Sequence, residues 1–354
     1  MTRLKRPKQL PSGNREDVRF GTRTEVATWR AQRLAKLAPG IIVEIGAGAG
    51  FQTAAFAKVA KRVIAVDIAE ERLARADVPE NVVKITGDAL DSAVIEKIKT
   101  LIEKDERLFV HNDFEVVSGR KDVLRHDDGR SGGRCRVLIF LDPERPPASA
   151  ERTIDEIKPD LKEFVKLYSA ISPDIAIELP PFLADIPFDC EREYASVDGK
   201  LNRLTIYLGA LKNTDVSVVA LPAGARIATS GIPKPLRDAP CQHPKYVLEP
   251  DAALVRAGLV AEALGNALVE EIDLGNRVVY FTKEPVQSPF FRKYAIVASG
   301  KEKILETLSR YGAVILHGKL DQERQRVLLR ELQPRCKGDG RAHLFLADEW
   351  VLAR

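Results

Sequence analysis

The chain has 354 residues, 45% apolar and 30% charged, which supplies enough hydrophobic material for packed cores and excludes a disordered class. Single cores stop growing near ~250–300 residues, so the length predicts two domains. A formal charge of +4 permits a nucleic-acid partner without requiring one. An uninterrupted apolar run of about 18 residues is absent, and no apolar stretch follows the charges of MTRLKRPKQLPSGNRE. The expectation is a cytoplasmic protein with neither a membrane span nor a secretory signal.

Residues 1–23 form a basic arm: Arg3, Lys5, Arg6, Lys8, Arg15, Arg19 and Arg23 face only Glu16 and Asp17, with Pro7, Pro11 and Gly13 favouring an extended chain. Such an arm suits phosphates or, equally, bare solvent. Residues 24–38 predict a helix, with Thr24 as a cap and Val26, Trp29, Leu34 and Leu37 near one face. IIVEIG (41–46) reads as a buried parallel strand entering a tight turn, a helix follows over 51–60, and RVIAVDI (62–68) is a second strand ending in an acid. EERLARA is a short helix, and VVKITGDAL (82–90) a third strand. The alternation predicts an α/β, Rossmann-like sheet with right-handed crossovers.

The next strand, VLIFLDP (137–143), comes some 45 residues later, so 91–136 is an insertion. Its first part has helical spacing, RLFVHNDFEVV predicts a strand, and 118–136 is polar and glycine-rich. A helix near 154–171 and a fifth strand, DIAIELPPF (174–182), follow. Hairpin strands flank Asp198-Gly199, and VSVVALPAGARIA adds another pair. Proline-rich 231–246 reads as a linker. It divides a domain over 24–235 from a smaller α+β domain over 245–354, with helices near 250–264, 300–310 and 321–332. Residues 241–354 carry 17 basic and 15 acidic side chains, so this part is close to neutral.

The densest chemical signal is EIGAGAGF (44–51). Glycines at 46, 48 and 50 permit a sharp turn and close approach of a ligand to the backbone. A dinucleotide fingerprint needs a later glycine where Phe51 stands, which disfavours pyrophosphate. Glu44, two residues before the first glycine, suits a ligand carrying an ammonium. Asp67 and Asp88 stand at the ends of the next two strands, and Asp142-Pro143 follows the fourth. Ligands of doubly wound sheets lie outside such carboxyl ends.

This arrangement resembles motif I, (D/E)xGxGxG, of class I S-adenosylmethionine-dependent methyltransferases. The resemblance implies S-adenosylmethionine as cofactor, held by Glu44, Gly46, Ala47, Gly48, Gly50, Asp67, Ile68, Asp88 and Ala89. Asp67 would accept the ribose hydroxyls, and Asp88 would lie beside the adenine amine. LDPERPP (141–147) is similar to the (D/N/S)PP(F/Y) of amino-directed members. There, Asp142 and the Pro143 carbonyl would orient an exocyclic amine. Glu144-Arg145 replaces the second proline and the aromatic, and Arg145 or Phe182 of LPPF is the candidate for stacking on a base. The strings EVATWRAQRL, DPERP, REYASVDGKLNRLTIYLGAL, YVLEPDAALVRAGLVAEAL and SPFFRKYAIV resemble methyltransferases with a C-terminal THUMP-like domain. The front half is also similar to the trimethylguanosine synthase branch. These resemblances imply methylation of RNA (tRNA or rRNA) at a base nitrogen. The rivals are a catalytically silent, cofactor-sensing RNA-binding or assembly protein, and a methyltransferase of a small molecule or protein.

Other chemistries find little support. His111, His126, His243, His317 and His343 are scattered, and the cysteines at 135, 190, 241 and 336 form no disulfide framework or zinc spacing, so no metal is expected.

Overall fold

The computed structural model describes residues 21–117, 135–144, 153–183 and 185–354. The arm over 1–20, most of the polar part of the insertion, and Arg145 lie outside the described residues. The chain divides into two compact units: residues 1–195 with 202–215, and residues 196–201 with 216–354. The division thus falls upstream of the proline-rich segment expected as the linker, and it passes through a hairpin.

In the first unit, helix α1 (Thr24–Ala35) precedes β1 (Ile41–Ile45), α2 (Phe51–Phe56), β2 (Arg62–Asp67), α3 (Glu70–Ala74) and β3 (Val82–Thr86). Helix α4 (Ser92–Val117), β4 (Val137–Leu141), α5 (Leu161–Tyr168), β5 (Ile175–Leu179), β6 (Glu191–Val197) and β7 (Lys200–Tyr207) complete it. Strands of this unit run in the order β3-β2-β1-β4-β5-β7-β6. β1 to β5 are mutually parallel, and β7 is antiparallel to β5. The apolar runs read as parallel strands are buried throughout β1 and β5, as strands covered on both faces must be. Ala31 and Leu34 pack with Ile42, Phe56, Leu138, Phe140 and Tyr207 in one core cluster.

Three local expectations are corrected. Thr24 does not cap α1: the cap position is Arg23, which makes no side-chain capping bond. RLFVHNDFEVV is not a strand but the second half of α4, 26 residues long; with no Gly or Pro between Ser92 and Val117, an established helix propagates at little cost per residue. The helix expected near 154–171 is interrupted at Pro159, leaving a 3-10 turn over Ile154–Glu156 and then α5. The Asp160 carboxylate caps α5 by accepting from the amides of Lys162 and Glu163.

The second unit holds the hairpin β8 (Val216–Leu221) and β9 (Ala225–Thr229), paired antiparallel. Next come β10 (Tyr246–Pro250), α6 (Ala252–Ala257), α7 (Val260–Leu264), β11 (Glu270–Asp273), β12 (Val278–Thr282) and β13 (Phe291–Ser299). Helix α8 (Lys301–Thr307), β14 (Ala313–His317), α9 (Gln322–Leu332), β15 (Arg341–Leu346) and β16 (Trp350–Ala353) end the chain. Its sheet runs β11-β12-β10-β13-β16-β15-β14. The single helix expected near 250–264 is two, broken at Gly258, which takes a left-handed φ of 70°.

Candidate active site

The turn after β1 is folded back on its neighbours by main-chain bonds. The amides of Gly46 and Ala47 donate to the Val66 carbonyl at 2.9 and 3.0 Å, and Gly50 N donates to the Ala47 carbonyl at 2.9 Å. At Gly46, φ is +78°, and a Cβ would stand 2.1 Å from the Asp142 carbonyl oxygen. Only glycine lets the β1 turn press against the tip of β4, which ties the glycine turn to Asp142-Pro143. Gly48, at φ +55°, has open space where a Cβ would project, with only Arg72 Cδ at 3.6 Å. Its amide donates to Asp67 Oδ2 at 2.6 Å.

Three acids converge on this turn. Glu44 lies in β1 between Ala65 of β2 and Phe140 of β4 and is 1% exposed. Its Oε2 has no hydrogen-bond partner. Burial pushes the Glu44 carboxyl up to about 8, the Thr53 hydroxyl and Arg30 guanidinium pull it down, and the carboxylates of Asp142 and Asp67 raise it further. Asp67 ends β2, buried, and its Oδ1 also accepts from Ala69 N at 2.8 Å. Asp142 is half-buried and held by its amide, which donates to the Ile45 carbonyl at 2.9 Å.

Asp88 is exposed and stands two residues beyond the end of β3, in the turn rather than on the strand. The turn joins the site through Gly87 N, which donates to the Asp67 carbonyl at 3.1 Å. Asp88 Oδ1 accepts from Leu90 N at 2.9 Å, and the buried Ala89 offers its carbonyl to the Tyr168 hydroxyl of α5 at 3.0 Å. Ile68, beside Asp67, is 61% exposed. Pro143 is buried, and Glu144 is fixed by its amide on the Lys158 carbonyl at 3.0 Å. Phe182 follows β5 and is 67% exposed.

A buried ionic layer behind the turn escaped the sequence. Arg30 of α1, 1% exposed, donates to Gln52 Oε1 of α2 at 2.7 Å, to Glu178 Oε2 of β5 at 2.7 Å and to Thr205 Oγ1 of β7 at 3.2 Å. Its guanidinium lies 4.7 Å from the centre of the Phe140 ring. Arg203 meets the other Glu178 oxygen at 2.6 Å. One turn on, Arg33 grips Glu191 and Glu193 and lies 3.6 Å over the Tyr207 ring. Spacing held the signal: positions 26, 30 and 34 share a helix face, so Arg30 falls between two buried apolar residues.

Against known proteins, no protein-family model matches the chain, and no curated protein sequence does. Its fold is that of a crystal structure from Porphyromonas gingivalis W83, provisionally named a methyltransferase: TM-score 0.64 at 16% identity, covering 97% of this chain and 82% of that one. Weaker likenesses include a structure from Anaeromyxobacter dehalogenans, provisionally named a type II methyltransferase (TM-score 0.24, 15% identity, 45% of this chain and 48% of that one). Another is the plantazolicin methyltransferase BpumL in complex with a desmethyl analogue and SAH (TM-score 0.26, 14% identity, 47% and 51%).

In the second unit, strand pairing joins two of the scattered histidines. β14 and β15 are parallel, and His317 Nε2 lies 2.8 Å from His343 Nδ1. Burial lowers His317 to about 4 and lowers His343 as well, so the pair is neutral near pH 7. Tyr294 packs on the His343 ring and donates its hydroxyl to Glu249 at 2.9 Å. Among the described residues, no group of three His, Cys, Asp or Glu is placed to hold a metal ion, and no helix is long and apolar enough to cross a membrane.

Proposed function

We propose that the chain is an S-adenosylmethionine-dependent methyltransferase acting on RNA at a base nitrogen, with the second unit serving as a THUMP-like domain. The observation that carries the cofactor reading is the orphaned Glu44 Oε2, buried at a glycine turn whose next strand tip presents Asp67. A buried carboxylate oxygen without a donor is costly unless a ligand supplies one. An ammonium-bearing ligand does so. Gly48 leaves room for that ligand beside the backbone, Asp67 retains lone pairs for vicinal hydroxyls, and exposed Ile68 offers an apolar surface for a ring.

Bound there, the cofactor supplies an electrophilic methyl group. The chain's own residues do the rest: Asp142 and the Pro143 carbonyl accept hydrogen bonds from an exocyclic amine and so direct its lone pair outward from the β4 tip. Gly46, pressed on Asp142 O, fixes that tip relative to the cofactor turn. Phe182, exposed after β5, can stack on a base; Arg145 shares that role in the proposal. The basic arm and the insertion arginines support an RNA substrate over a neutral one.

The test is transfer of a tritiated methyl group to RNA from a strain lacking the gene, with wild type and Asp142→Ala side by side. Label with wild type and at least a hundredfold less with the variant is the expected result. Calorimetric binding of S-adenosylhomocysteine without labelling of any RNA would favour the silent, cofactor-sensing binder, the reading to which Glu144 in place of the second proline points.

A further inference from the structure

Arg30 of α1 touches the elements that carry both halves of the candidate site. Its Nη1 donates to Gln52 Oε1 at 2.7 Å, and Gln52 returns its own amide group to the Ala27 carbonyl of α1 at 3.2 Å. Gln52 is the second residue of α2, directly after the glycine turn, so the start of that helix is fastened to α1 through both ends of one side chain. Arg30 Nη2 donates to Glu178 Oε2 of β5 and to Thr205 Oγ1 of β7. Glu178 stands four residues before Phe182, and Arg203 of β7 meets its other oxygen. The guanidinium also lies 4.7 Å from the centre of the Phe140 ring of β4, two residues before Asp142. A planar fork whose donors are fixed in direction holds such partners at set distances, which a flexible ammonium does not.

We propose that Arg30 is a positioning residue for methyl transfer: through Gln52 it fixes the cofactor turn, and through Phe140 and Glu178 it fixes the tips of β4 and β5 that hold the acceptor amine. The inference rests on the function proposed above and adds to it a residue that acts from behind the site, 1% exposed. The reason for such a link is geometric. Amine and methyl carbon must meet in line and at close range, and a displacement of about 1 Å between them costs on the order of a hundredfold in rate. Arg33, one turn along α1, supplies the contrast. It is also buried and as fully engaged, on Glu191, Glu193, the Leu211 carbonyl and the Tyr207 ring. These partners lie on β6, on β7 and in the turn after β7, away from the elements that meet the methyl group.

The test compares Arg30→Lys with Arg33→Lys in the full chain, at a temperature where urea unfolding shows both to be folded. Lysine keeps the charge and loses the fork. Arg30→Lys is expected to lower the single-turnover rate of methyl transfer to RNA about thirtyfold or more, with the dissociation constants of S-adenosylhomocysteine and RNA within about threefold of wild type. A bound ligand follows a shifted turn, whereas transfer needs both partners in register. Backbone amide exchange without ligand, followed by mass spectrometry, should quicken at 46–56 and 139–144 in Arg30→Lys and stay as in wild type there in Arg33→Lys. Arg33→Lys should lose stability yet keep its single-turnover rate within about threefold. Should Arg30→Lys fail to fold, Gln52→Ala cuts the link to α2 alone and is expected to lower the rate about tenfold, with exchange quickened at 46–56. Equal loss of rate in both lysine variants, a fall in Arg30→Lys matched by lost S-adenosylhomocysteine affinity, or an unchanged rate in whichever of Arg30→Lys and Gln52→Ala is folded overturns the positioning role and leaves the function reading standing. A wild-type chain that methylates no RNA overturns that reading and the positioning role with it.

Discussion

Glu44 places function against stability at a single side chain. In the free folded chain its carboxyl is raised to about 8, whereas in the unfolded chain it ionises near its ordinary ~4.3. Below the lower value both states hold the proton and nothing is lost. As pH climbs between the two values, only the unfolded state ionises, so the fold loses up to about 1.4 kcal/mol per pH unit, and the loss levels off above about 8. Glu44→Gln removes the titration. Its melting temperature relative to wild type should therefore rise between pH 5 and pH 8, followed by calorimetry without ligand; a difference that ignores pH would show that Glu44 does not titrate in this range. Asp67→Ala acts differently. It strips the acceptor from Gly48 N and Ala69 N, loosening the turn as well as removing a ligand contact. We expect a loss of about 1–3 kcal/mol in S-adenosylhomocysteine binding, roughly 5- to 150-fold in affinity.

At the scale of elements, α1 is bound to the sheet by charge as much as by apolar contact. Arg30 links α1 to α2, β5 and β7 through three side chains. Removing one partner of a buried pair leaves the other unpaired, and Arg30→Met should cost about 3 kcal/mol in urea unfolding, somewhat softened because Arg203 still meets Glu178. A loss below about 1 kcal/mol would mean that Glu178 is served by Arg203 alone. Arg30 and Arg33 also mark a limit of reading from sequence. Charged residues at helix-face positions are taken as solvated, and only the acids of β5 and β6, more than a hundred residues away, make their burial tolerable. Strands β1, β4 and β5 were legible because burial on both faces leaves runs that are apolar but for Glu44 and Glu178. The glycine turn was legible because its chemistry is local: Gly46, Gly48 and Gly50 are each read from the same eight residues. The second half of α4 was not, since RLFVHNDFEVV lacks the spacing that separates helix from strand. The pairing of His317 with His343 was not, because it depends on the register of β14 against β15, in which His317 lies opposite Phe345.

At the scale of the whole chain, the RNA proposal is a question of where positive charge resides. Residues 241–354 carry 17 basic against 15 acidic side chains, too even a balance to hold a phosphate backbone by its own field. The excess lies in the arm, with Arg3, Lys5, Arg6, Lys8 and Arg15 in its first fifteen residues, and in the insertion, with Arg120, Lys121, Arg125, Arg130, Arg134 and Arg136 against Asp122, Asp127 and Asp128. Of these, Arg136 alone is described, and it is half-buried and tied to Asp174 at 3.0 Å, so the test of the insertion leaves it in place. Each phosphate neutralised on binding adds about −0.7 to −0.9 to the slope of log affinity against log salt. Deleting residues 1–15 should flatten that slope and weaken RNA binding, measured by filter retention at several salt concentrations, while S-adenosylhomocysteine affinity stays as in the full chain. Replacing Arg120, Lys121, Arg125 and Arg130 by Ser should add a second, independent decrement. If neither change moves the slope, the phosphate contacts lie elsewhere or do not exist, and a small molecule or protein becomes the better substrate for the amine-directing pair Asp142-Pro143.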